Sequence, residues 1–92
     1  MPVTTPTDAV SLGLIALATA VSDERRARRF LNLTGIGTEE LRARAADPAI
    51  LAALIRFLEA FEPDLVEVAG EIGVKPDELV AARRALEEAE QQ

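Results

Sequence analysis

The 92-residue sequence predicts an all-α fold, a compact single-domain bundle of five to six short helices. Three observations predict it. The hydrophobic fraction is 49 % with three phenylalanines and no Tyr or Trp, so the apolar content is Ala, Leu, Ile and Val, interleaved with Glu and Arg. Straight-chain residues and Ala lose little rotamer freedom in a helix, and few β-branched clusters argue for strands. Prolines at 6, 48, 63 and 76 and glycines at 35 and 73 punctuate the chain in the order of helix starts and helix stops. Between them, apolar residues recur at helical spacing. A chain of this length is one domain, burying roughly 60–65 % of its unfolded surface within a radius of gyration of about 12 Å.

Residues 1–5 read as a flexible lead, residues 6–88 as the helical domain and residues 89–92 as a frayed tail. Thr5 is the expected N-cap of helix 1, with Pro6 at N1 and Asp8 in the first turn. That helix runs from Pro6 to Val21, and Val10, Leu12, Leu14, Ile15, Leu17 and Val21 point in nearly every direction around it. A helix apolar all round is either central or covered by a partner. Ser22 is the expected cap of helix 2, followed by Asp23 and Glu24 in an acidic first turn. Helix 2 carries a narrow stripe of Ala27, Phe30 and Leu31, runs to Leu33 and stops at Gly35. Thr38 is expected to cap a short helix 3 with Leu41 and Ala45 facing in.

Asp47-Pro48 is the sharpest punctuation, an N-cap followed by proline where no donor is needed. Helix 4 then repeats Ile50, Leu51, Leu54, Ile55, Leu58 and Phe61 at helical spacing, which makes it the expected central helix. Helix 5 starts at Pro63 with a stripe of Leu65, Val68, Ala69 and Ile72, and Gly73 closes it. Helix 6 starts at Pro76 with Leu79, Ala82 and Leu86 inward. Helices 1, 4 and 5 are expected to form the core. Residues 33–45 and 71–83 align without gaps around Gly35 and Gly73, and shared capping chemistry at two helix junctions is preferred to a true repeat.

The chain lacks Cys and His, which removes disulfides, thiolate chemistry, the usual general base and the commonest transition-metal ligands. The net charge is −6 but uneven: residues 1–56 hold seven basic and six acidic residues, and residues 57–92 hold three basic and ten acidic. The halves read as two solvated faces, with head-to-tail or self-association as the functional alternative. No basic region precedes the apolar run Ala9–Val21, which is shorter than the roughly 20 residues of a bilayer span. Neither signal peptide nor membrane anchor is expected, and the expected location is the cytoplasm.

The best electrostatic candidate is the cluster Arg25, Arg26, Arg28 and Arg29, with Arg42 and Arg44 approaching from helix 3. Such a patch suits phosphate, RNA or an acidic peptide. The competing reading, an exposed helix face neutralised by Asp23, Glu24, Glu39 and Glu40, is preferred. Residues 65–86 have the outline of a degenerate helix-turn-helix, with Ala69, Gly73 and Leu79 at its landmark positions. The base-reading end of its second helix would be Pro76, Asp77 and Glu78, and carboxylates there oppose DNA. Adjacent carboxylates point about 100° apart on a helix. Glu67 and Glu71 share a face and read as solvated surface, Ser11 and Ser22 have no base, and Gly35-Ile36-Gly37 is too short to cradle phosphate. No catalytic residues, metal or cofactor are expected.

The ordered set Arg29-Phe30-Leu31, Thr34-Gly35-Ile36, Leu41-Arg42, Ala46-Asp47-Pro48 and Leu51 to Leu58, with Glu62, Ala69, Gly73 and Pro76, resembles a family of small alphaproteobacterial helical proteins of unknown function. The resemblance covers about residues 9–86. Ile50 stands where the family has an aromatic, and Glu59 and Phe61 break a leucine- and acid-rich stretch, so the helix 4–5 turn is where packing should differ. The resemblance implies a helical fold and brings no activity. The expected function is a non-catalytic protein-interaction module with a protein partner or a second copy, paired through helix 1 or the helix 4–5 face. The alternative is a small nucleic-acid-associated regulator.

Overall fold

The computed structural model describes residues 6–91, with side chains from Ala9 onward, so the lead at 1–5 and the cap at Thr5 lie outside the described residues. Six helices follow in order: α1 Pro6–Val21, α2 Glu24–Thr34, α3 Thr38–Ala43, α4 Pro48–Glu59, α5 Glu62–Ile72 and α6 Pro76–Glu90. The radius of gyration is 12.2 Å, as a folded chain of this length requires.

Punctuation places most of the boundaries. Asp47 accepts the Ala49 N–H at 2.9 Å with Pro48 in the first turn of α4. Gly35 and Gly73 end α2 and α5 at φ 73° and 80°, a left-handed conformation that costs glycine nothing. Two caps differ from expectation by one residue. Asp23, not Ser22, caps α2 by accepting the Arg26 N–H at 3.0 Å, while the Ser22 hydroxyl turns back to the Thr19 carbonyl. Gly37 precedes α3, and Thr38 is already helical. At α6 the Glu78 carboxylate accepts the Lys75 N–H at 2.8 Å. The last helix continues to Glu90, two residues beyond the expected end of the domain.

α4 is the centre, as its stripe predicts: Ile50, Leu51, Ala52, Leu54, Ile55, Phe57 and Leu58 are all buried. The expected trio of helices 1, 4 and 5 needs correction, because α6 is the main neighbour of both α4 and α1. At 15 residues α6 is about 22 Å long, enough to lie along both with Leu79, Ala82 and Leu86 fully covered. α5 still adds Leu65, Val68 and Ala69 to the same core.

The contradictory pattern of α1 resolves into two faces. Its buried face is the small-residue stripe Ala9, Gly13, Ala16 and Ala20, with Leu17 at its edge. These let α4 approach closely: a Cβ built on Gly13 would lie 3.1 Å from the Leu51 Cβ. The larger Leu14 and Val21 stay half-buried on the other side. α3, by contrast, buries no residue, and Leu41 and Ala45 only lean on the core.

Candidate functional site

Two surfaces stand out, one at the corner of α2, α4 and α5 and one between α1, α2 and α3. The corner begins with Arg26, which is buried (5 % exposed) rather than on an open face. α2 turns both Arg26 and Phe30, four residues apart, inward. The Arg26 Nε lies 3.3 Å from Asp64 Oδ1, and its Nη2 binds the Glu67 carboxylate. The Arg29 Nη2 lies 2.5 Å from the other Asp64 oxygen. The Arg29 guanidinium also stacks over two rings, 5.1 Å from the Phe57 centroid and 5.7 Å from that of Phe61. Beneath it Phe57 meets Phe30 edge-on, with centroids 5.4 Å apart. The cluster is an electrostatic bracket holding α2 to α5.

This corrects the expected neutralisation by Asp23, Glu24, Glu39 and Glu40 for Arg26 and Arg29, while Glu40 does pair with Arg44. The carboxylates that meet Arg26 and Arg29 are Asp64 and Glu67 on α5, so Glu67 is no mere solvated surface. Asp23 serves the α2 N-terminus instead, and the Arg26 N–H it accepts holds its carboxyl below the ordinary carboxylate range.

The six candidate arginines do not form one patch. Arg26 and Arg29 are committed to the bracket. Arg44 is held within its own junction by Glu40 at 2.9 Å and Asp47 at 2.8 Å. Arg42 faces a different surface, the groove described below. Arg25 and Arg28 are exposed and have no ion pair among the described residues. A second bracket joins α4 to α6: Arg83 reaches Glu59 at 2.6 Å and Glu87 at 2.9 Å, and Arg56 binds Glu87. Arg56 holds the Glu87 carboxyl below its ordinary value, helped by Arg83.

Above the first bracket, Phe61 forms a ridge between shallow depressions. Leu33 and Phe57 lie on one side, Pro63 and Val66 on another, and Arg25 with Asp64 on a third. Leu33, Phe61 and Val66, 75 %, 51 % and 50 % exposed, are three of the four large exposed apolar side chains among the described residues. Phe61 was expected inside helix 4. It instead precedes α5 with an extended backbone at φ −136°, because α4 ends at Glu59 and the turn rotates the ring outward.

The second surface is an apolar groove of about 440 Å³, lined chiefly by Leu14, Leu17, Val21, Leu31 and Leu41, with Arg42 at its lip. The α5–α6 corner starts its second helix with Asp77 and with Glu78, whose carboxylate is taken by its own cap. No group of three or more Asp and Glu converges on a metal position among the described residues. No described helix is long and apolar enough to cross a membrane.

Sequence reasoning missed Asp64, Phe57 and the bracket role of Glu67. The arginine partners of Asp64 and Glu67 lie 35 to 41 residues away along the chain, and Phe57 meets Phe30 and Arg29 on another helix, so no local pattern encodes these pairings. The departure at Phe61 was the one usable signal, since an aromatic that breaks a stripe marks a change of environment.

An all-helical bundle with two unfilled apolar surfaces and five of its nine arginines in internal ion pairs is thus the class of protein at hand. The chain belongs to the family described as "Protein of unknown function (DUF3572)", whose profile matches residues 6–89. Comparison with curated proteins and with solved structures finds no match.

Proposed function

We propose that this protein is a cytoplasmic, non-catalytic protein-interaction module that pairs with a second copy of itself through the Phe61 corner. One observation carries the reading: Leu33, Phe61 and Val66 share this corner while almost every other large apolar side chain described is at least half-covered. Contiguous exposed apolar surface rimmed by charge is the mark of a contact site, and an aromatic at its centre is the usual anchor. The rim favours self-pairing. Arg25 lies to one side of Phe61 and Glu62 to another, both exposed and without an ion pair among the described residues. A two-fold axis near Phe61 sets Arg25 of one copy against Glu62 of the other, twice.

Nucleic acid draws less support. Within the α2 cluster a phosphate would have to rely on Arg25 and Arg28, because Asp64 and Glu67 already hold Arg26 and Arg29 and Arg42 faces the groove. Sedimentation velocity over a concentration series tests the proposal. The expected result is a concentration-dependent dimer that Phe61→Glu converts to monomer and that the charge reversal Arg25→Glu weakens and Arg25→Glu with Glu62→Arg restores. A monomer at every concentration overturns self-pairing. Binding of mixed-sequence RNA or DNA at low salt, lost on Arg25→Ala with Arg28→Ala, would move the reading to nucleic acid.

A further inference from the structure

We infer that the groove between α1, α2 and α3 receives an acidic amphipathic helix of a partner protein. This rests on the interaction-module reading but not on the dimer, since the groove and the Phe61 corner share no lining residue.

The first argument concerns backbone hydrogen bonding. Leu14, Leu17, Val21 and Leu31 sit on two helices of 11 residues or more, whose interior backbone groups pair within the helix. The groove therefore offers an occupant an apolar surface and no strand edge, the uncapped first turn of the short α3 being its one backbone-polar border. An extended peptide laid there would leave its own backbone donors and acceptors unpaired against leucine, which is costly. A helix brings its backbone bonds with it and needs only an apolar stripe, the helix-in-groove mode of recognition. The volume of about 440 Å³ suits a few large side chains, the i, i+3 or i+4, i+7 anchors of two helical turns.

The second argument is charge. Arg42 is the only charged side chain lining the groove, it is exposed, and it has no ion pair among the described residues. Its neighbour Arg44 shows the contrast, held by both Glu40 and Asp47. An occupant with Glu or Asp flanking its apolar stripe would meet this guanidinium at the lip.

The third argument is the wall itself. α3 buries no residue, so it can shift to fit a guest more cheaply than the packed helices can. Leu14 and Val21 pack on the core with one side and stay half-buried along the groove, and a partner helix would cover the side the core leaves open.

The test uses the full chain and a fluorescently labelled designed peptide of about 18 residues, with leucines at i, i+3, i+7 and glutamates on either flank. Fluorescence anisotropy should show saturable binding. A scrambled peptide of equal composition and a peptide with every glutamate replaced by lysine should bind at least tenfold more weakly. Arg42→Glu, an exposed change that leaves the core alone, should weaken the acidic peptide about fivefold, the size of one solvent-facing ion pair, and improve the lysine peptide. Leu41→Asp should abolish binding while circular dichroism shows the fold retained, and Phe61→Glu should leave binding unchanged. Equal binding of the scrambled peptide, or indifference to Arg42→Glu, overturns the inference. So does displacement of the peptide by a micellar-dilute long-chain carboxylate at lower concentration, which would assign the groove to a small apolar acid. A dimer dissolved by Leu41→Asp rather than Phe61→Glu would give the groove to a second copy and overturn it too. A monomeric protein that still binds the acidic peptide would remove the dimer and leave the groove assignment standing.

Discussion

Arg26 Nε sits 3.3 Å from Asp64 Oδ1, with both side chains at most one-tenth exposed, in a position to pair by charge but not aligned to donate a hydrogen bond. The relationship ties α2 to α5 and leaves Asp64 shared between Arg26 and Arg29. A buried charge of this kind is worth little until one partner is removed.

Asp64→Ala should therefore destabilise the fold by about 3 kcal/mol, because Arg26 would be left buried with only the more exposed Glu67. Replacing the pair with Arg26→Met and Asp64→Leu should cost much less, or nothing. Urea unfolding monitored by circular dichroism measures both. A double variant as damaged as Asp64→Ala would mean that the bracket contributes more than the cost of an orphaned charge.

Two helical glycines should respond oppositely to the same change. Gly70 on α5 is exposed with nothing within 4 Å of a built Cβ, so Gly70→Ala should raise stability by roughly 0.5–1 kcal/mol. At Gly13 the new methyl would press on the Cβ of Leu51, which is fully buried and close to its own backbone. Gly13→Ala should lose that gain, and Gly13→Val should lower the melting temperature clearly. Thermal melts that rise for both alanine variants would refute close packing of α1 on α4.

Acid should weaken the fold in a defined window. Arg44 holds the Asp47 carboxyl below its ordinary range, with help from the Ala49 N–H, and Glu87 is held down by Arg56. Their folded pKa values lie below the unfolded ones, so their stabilisation is complete above the ordinary carboxylate range and is lost as pH falls through the folded values. The melting temperature should stay level down to about pH 5 and drop below about pH 4. Both carboxylates meet solvent, so the effect is modest and screened by salt. Asp47→Asn keeps a cap but loses the charge. Its deficit relative to the parent should be largest near neutrality and close as pH falls. A gap that widens in acid would have the wrong sign.

Leu54→Pro should abolish cooperative unfolding, since it breaks α4 at a fully buried position. A sigmoidal melt near the parent temperature would show α4 not to be the centre.

Much of the fold was legible because its signals are local. Asp47-Pro48, Gly35 and Gly73 mark boundaries through capping chemistry acting within four residues. The α4 stripe announces its own burial. The cap at Ser22 was misplaced by one residue because its polar neighbour Asp23 takes the orphan N–H, and at α3 the extended cap position falls on Gly37, which offers no side-chain signal. The small stripe of α1 was overlooked because large residues dominate a reading by hydrophobicity, although Ala9, Gly13, Ala16 and Ala20 make the contact. The arginine-rich stretch was found, but its chemistry was not. A side chain pairs with whatever carboxylate the fold delivers, and α5 delivers Asp64 and Glu67 from more than thirty residues away.

By itself the sequence determined an all-α chain, the order of its six helices, α4 as their centre and the family to which it belongs. Tertiary structure alone decided that α6 and not only α5 completes the core, that Arg26 is interior, that Phe61 stands exposed at a corner and that α1 backs an open groove. The reason is range. Helix propensity, capping and periodicity act over one or two turns, while burial and ion pairing depend on which distant surfaces come within a few ångströms after the helices have packed.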